Sequence, residues 1–172
     1  MRYMLLLSVL VFCGCSSVAT YPPIETKNLL APPSSANEPV PTIMGKIITY
    51  SHEHYGGMDS IVFNLPEGVD NKTYDIVGGF VGEATPMSTT NELSYHITEL
   101  RMRGLSADAD VVFPSASGIY GMATIQLKSS ILGDWEVVND RIWLIPIETP
   151  PLPTYQRDEV GLVEVEISDH DN

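Results

Sequence analysis

The segment Asp134-Trp135-Glu136-Val137-Val138-Asn139-Asp140-Arg141-Ile142-Trp143-Leu144-Ile145 decides how the folded part of this chain reads. Two runs rich in β-branched and aromatic residues flank Asn139-Asp140, and both Asn and Asp tolerate the positive φ that a two-residue hairpin turn demands. A turn there pairs Val138 with Arg141, Val137 with Ile142 and Trp135 with Leu144. Trp135, Val137, Ile142 and Leu144 then form a core stripe on one face. Trp143 falls on the opposite face, either covered by the tail of the chain or exposed as a contact residue.

Working outward, runs rich in Val, Ile, Tyr, Phe and Thr predict strands at Ile43 to Tyr50, Ser60 to Leu65, Tyr74 to Val81, Leu93 to Arg103, Asp110 to Phe113 and Ile119 to Lys128. Turn chemistry separates them at Pro66-Glu67-Gly68, Ala84-Thr85-Pro86, Pro114-Ser115 and Gly133-Asp134. No sustained helical period is read in this part of the chain. The expected fold is therefore all-β, a single immunoglobulin-like antiparallel β-sandwich over residues 43–172. Pro150-Pro151-Leu152-Pro153 interrupts it, and the alternation of Val163, Val165 and Ile167 predicts a last strand within Gly161 to Ile167.

Before the domain, residues 15–42 are rich in Pro, Ser, Ala and Asn and read as a disordered linker, an extended tether. The first residues, MRYMLLLSVLVFCGCSS, combine Arg2, a short apolar run from Met4 to Phe12 and Gly14-Cys15. That run is about half the length a membrane-spanning helix needs and reads as the core of a cleavable export signal, residues 1–14. The segment resembles the bacterial lipoprotein signal, with Gly14 fitting the lipobox and Phe12 and Cys13 departing from its usual choices. The resemblance implies a lipid on Cys15 and a mature chain held to a membrane by that anchor. Ser16 in place of Asp implies, by the same resemblance, sorting to the outer membrane of the cell envelope, facing the periplasm or the surface.

The chain has 22 acidic residues against 9 Lys and Arg, a net charge of -13. That balance argues against nucleic acid, which is held by Lys and Arg at phosphates, and against a polybasic hold on lipid. Both cysteines lie in the signal and its lipobox, so the folded part has no thiol nucleophile, thiolate metal site or disulfide.

Ser51-His52-Glu53-His54-Tyr55-Gly56-Gly57-Met58-Asp59 is the densest polar cluster. If the preceding strand continues, His52 and His54 share a face about 7 Å apart, close enough to close on one ion, with Met58 or Asp59 adding a ligand. His with Met suits copper; His with carboxylate suits zinc, nickel or manganese. His96 could join them in space. Gly118 to Leu127 followed by Gly133-Asp134-Trp135 resembles the YtkA-like and FixH-like extracytoplasmic sandwiches, in which a Gly-x-Tyr strand precedes a Gly-x-Trp strand. That resemblance implies an immunoglobulin-like fold and, for some relatives, copper handling, although residues 106–117 contain no Met or His. No nucleophile elbow or phosphate loop occurs, so an enzyme is not expected.

The leading expectation is a non-enzymatic, lipid-anchored envelope protein that presents its domain for protein binding or assembly, with Tyr55 and Trp143 as contact residues and an envelope protein as partner. The alternative is a periplasmic copper- or zinc-binding domain or metallochaperone using His52, His54, Met58 and His96.

Overall fold

The computed structural model describes residues 18–24, 34–56, 58–90, 92–115, 119–130 and 133–156. In chain order these form β1 (Val18–Tyr21), α1 (Val40–Tyr55), β2 (Ile61–Asn64), α2 (Asn71–Val81), β3 (Ala84–Pro86), β4 (Tyr95–Arg103), β5 (Ser106–Pro114), β6 (Tyr120–Ser129) and β7 (Trp135–Ile147). The chain is β-rich, as expected. Its described strands make one seven-stranded sheet in the order β3-β2-β4-β5-β6-β7, with β1 also on β4. Among the described residues, the two helices pack on one face of this sheet.

The sheet is mixed because β2 runs parallel to both β3 and β4, and the α2 crossover links β2 to β3. The ladder from β4 to β7 is antiparallel. β1 pairs with the second half of β4, Val18 opposite Arg103 and Tyr21 opposite Leu100, on the flank that β2 leaves free.

Two expected strands, at Ile43 to Tyr50 and Tyr74 to Val81, are helical. Val40, Ile43, Met44, Ile47, Ile48 and Ser51 are buried along α1, a spacing of three and one that keeps a single face of a 3.6-residue helix on the sheet. The β-branched content of this stretch favours a strand locally; packing of that face decides otherwise. In α2, Thr73, Tyr74 and Val77 repeat the pattern on a shorter scale. The core lies between these helices and the facing side chains of the sheet, among them Leu100, Ala109, Val111, Ala123, Ile125 and Leu127.

The segment from Trp135 to Ile147 is one strand, and the expected turn at Asn139-Asp140 does not form. Asn139 and Asp140 pair with Gln126 and Ile125 because β6 offers a continuous ladder along this length. Trp135 and Val137 do pack on the core. Past Asp140 no described element covers the strand, so Ile142 and Leu144 leave the expected core stripe at 52% and 97% exposure.

Part of the expected linker is also folded. Val18–Tyr21 is β1, and α1 begins at Val40. Ser35 is buried against α2, its hydroxyl bonded to Thr73 Oγ1 at 2.8 Å and accepting from the Asp70 amide at 3.0 Å. The export signal, Cys15 and the expected last strand at Gly161 to Ile167 lie outside the described residues.

Gly56 marks the tightest approach between helix and sheet, since a Cβ there would run into the Tyr95 hydroxyl. Gly56→Ala is expected to cost about 1–3 kcal/mol in urea unfolding, from overpacking against a buried ring. Tyr95→Phe in the same background should return part of that loss; an equal loss in both backgrounds would contradict the clash.

Candidate functional site

On a helix, residues two apart point to nearly opposite sides, so α1 separates His52 from His54. His52 Nδ1 lies 3.3 Å from the Tyr95 hydroxyl and its ring meets Tyr95 edge-on. His54 stacks on Tyr50 and bonds the Tyr50 carbonyl oxygen at 3.0 Å. Met58 is half-buried against the core, and His96 belongs to a different environment on β4. The strand geometry that would have brought these groups to one ion is absent. Among the described residues no group of three or more His, Cys, Asp or Glu side chains is placed to hold a metal.

Tyr55 is built into the fold. Its ring stacks on Phe113 at 4.5 Å and its hydroxyl donates to Asp140 Oδ2 at 2.6 Å, tying the end of α1 to β7. Burial, followed by the bond to the Asp140 carboxylate and its charge, pushes the phenol pKa well up. Tyr55, read from the sequence as a contact residue, has its hydroxyl bonded within the fold.

Trp143 lies half-buried on the sheet face away from the helices, as its alternation with Ile142 requires. Its Nε1 donates to Thr124 Oγ1 at 3.0 Å, and the Arg141 guanidinium sits 4.2 Å above its ring. Thr124 passes the chain of bonds to Asp110 Oδ1 at 2.6 Å, and Arg101 donates to Asp110 Oδ2 at 2.7 Å while also pairing with Glu99 at 2.7 Å. A ladder of polar contacts thus crosses all four strands from β4 to β7. Burial raises the Asp110 pKa, and the bonds from Arg101 and Thr124 with the Arg101 charge outweigh it, so the carboxyl stays below its ordinary range. Asp110 is an ionised, structural anchor of this face.

The densest buried polar group centres on Asn64, at the end of β2. Its Oδ1 accepts from the Thr154 amide at 3.0 Å, the Thr154 hydroxyl at 2.8 Å and the Tyr74 hydroxyl at 3.0 Å; its Nδ2 donates to the Leu152 carbonyl at 2.8 Å. Asn71 Nδ2 donates to the Gln156 carbonyl at 2.6 Å, and Tyr155 tilts against Tyr74 at 5.0 Å. Residues 150–156 are thereby strapped across the ends of β2 and β4, closing a cleft of about 310 Å³ beside His96 and Pro22.

Because the Thr154 amide fixes which end of the Asn64 amide is oxygen, Nδ2 faces His96 Nδ1 at 3.4 Å and that nitrogen is the acceptor. The His96 proton therefore sits on Nε2, 3.0 Å from Ser94 Oγ. This is the reverse of what a serine nucleophile requires, since its histidine must accept at that position. Ser94 is also fully buried. Asn64 and Thr154 were not singled out from the sequence: an Asn after a strand and a Thr ninety positions later carry no local sign that they meet.

The chain matches no family model, no curated protein and no solved structure.

Desolvation pushes the His96 pKa down from 6.5 to about 4. Between those values the unfolded chain binds the extra proton, so stability is full above pH 6.5 and falls as pH drops toward 4, by about 3 kcal/mol in all. His96→Gln should remove that part of the slope when urea midpoints are compared at neutral and mildly acidic pH; an unchanged slope would contradict a neutral, buried His96. Asn64→Ala should cost about 2–4 kcal/mol by orphaning strap donors and acceptors, with amide exchange accelerating first at residues 152–156.

Proposed function

We propose that this protein is a lipid-anchored component of the bacterial cell envelope that uses the outer edge of β7 to bind or assemble with an envelope protein. The observation that carries the reading is the state of that edge. β7 is the longest described strand, at 13 residues, and stands last in the sheet with its outer backbone groups unpaired among the described residues. Along it Ile142, Leu144 and Ile145 are 52%, 97% and 58% exposed. A long apolar edge offers both main-chain pairing and side-chain contact, and it invites unwanted pairing unless a partner covers it.

The lipid anchor rests on Gly14-Cys15 and the apolar run before it. No helix among the described residues is long and apolar enough to cross a membrane, and acyl chains on Cys15 would supply attachment. Outer-membrane sorting follows the resemblance at Ser16. A binding role is supported over catalysis by the inverted tautomer at His96 and the burial of Ser94. The contact surface moves from Tyr55, which is committed to Asp140, to the neighbours of Trp143 on β7.

A photo-crosslinking residue placed at Leu144 in cells expressing the full chain should give a discrete adduct, and the same residue at Lys72 on α2 should not. Adding Ile142→Lys and Ile145→Lys should abolish the Leu144 adduct without lowering the amount of protein. Equal labelling at Leu144 and Lys72 would overturn the edge as the contact.

A further inference from the structure

The end of the sheet where β1 begins differs in chemistry from the rest of the chain. Val18 stands opposite Arg103, and the β4–β5 connection beside it is a two-residue turn, Gly104-Leu105. Gly104 takes φ 58°, which a Gly supplies without strain and which projects Leu105 at the tip. Val18 and Leu105 are 56% and 58% exposed. Next in the sheet, Ser106 pairs with Lys128, and the Ser129 amide donates to the Leu105 carbonyl at 2.9 Å, binding the end of β6 to the turn.

Arg103 and Lys128 are two of only nine Lys and Arg in a chain of net charge -13. Asp134 and Glu136 at the start of β7 balance them, Glu136 directly opposite Lys128. This end is therefore near neutral, with basic and apolar side chains alternating, while the excess negative charge lies elsewhere.

Cys15 precedes Val18 by three residues. A fully extended chain spans at most about 11 Å over that distance, close to the screening length at physiological salt. A domain held so close to a phospholipid surface must present some face to it, and the strongly acidic remainder is repelled by lipid phosphates.

We infer that the end of the sheet formed by Val18, Arg103, Leu105 and Lys128 docks on the phospholipid surface, with Val18 and Leu105 in the interfacial layer and Arg103 and Lys128 at lipid phosphates. The inference rests on the lipid at Cys15 proposed above. It adds a local basic contact, through Arg103 and Lys128 alone, to a chain whose overall charge offers lipid no polybasic hold.

The test uses the mature, full-length protein reconstituted in vesicles of phosphatidylethanolamine with one quarter phosphatidylglycerol. Leu105→Cys and, separately, Leu144→Cys carry a polarity-sensitive dye, Cys15 being blocked by its own acyl group. The dye at position 105 should shift to the blue and be quenched by nitroxide-bearing lipid, and the dye at 144 should keep its value in water. Arg103→Glu with Lys128→Glu should lower the ratio of docked to undocked protein, read from the quenching at 105, by at least roughly fivefold per residue, while far-ultraviolet dichroism shows the same folded sheet. The mass of the Cys15 peptide is read in parallel. An acylated Cys15 with a water-like signal at 105 overturns the docking alone; an unacylated Cys15 overturns the anchor and the docking together.

Discussion

Among the described residues, two helices keep one face of a long sheet from water, and the rest of the structure follows from how far that cover reaches. α1, at 16 residues, is about 24 Å long. β7, at 13 residues, is about 40 Å. Where the helix lies, the sheet presents small or branched residues that let it approach, Ala107, Ala109 and Val111 on β5 and Ala123 and Ile125 on β6, all buried. At the last turn of α1, Tyr55 reaches Asp140 and Phe113, and beyond that point no described element covers β7. The apolar edge is thus a consequence of unequal element lengths, and Asp140 is where protection by the helix stops.

The opposite face is kept by other means. Among the described residues it carries the ladder of Arg101, Asp110, Thr124 and Trp143, whose hydrogen bonds satisfy one another across four strands. Where β2 and β4 meet, the strap from Pro150 to Gln156 does the covering, and its grip is one side-chain amide. An Asn suits that position because it can accept from Thr154 and donate to the Leu152 carbonyl at once. An Asp would lack the donor.

Sequence patterns reveal parts of this unevenly. The strands at Ser60 to Leu65, Leu93 to Arg103 and Ile119 to Lys128 read well because alternation and turn residues agree there with the tertiary environment. α1 misleads: Ile43, Met44, Ile47 and Ile48 keep the helical period, yet these Ile residues with the flanking Thr42, Thr49 and Tyr50 favour strand locally, and only burial against the sheet resolves the conflict. Asn139-Asp140 carries turn chemistry that a continuous partner strand overrides. A strand through this stretch puts His52 and His54 on one face, and the helix that forms instead turns them apart. The strap and its Asn64 latch depend on residues far apart in the chain, for which no local pattern exists.

The direction in which β1 joins the sheet has a mechanical meaning. β1 is antiparallel to β4, its first residue lies at one end of the ladder, and the exposed part of β7 lies toward the other. Tension applied between the N-terminus and a partner on β7 runs along the strands, at right angles to the hydrogen bonds that join β1 to β4. Those bonds are then loaded together, in shear, where a pull from the side would open them one at a time. The four-residue strand, short as it is, resists force in the arrangement that makes most of its length.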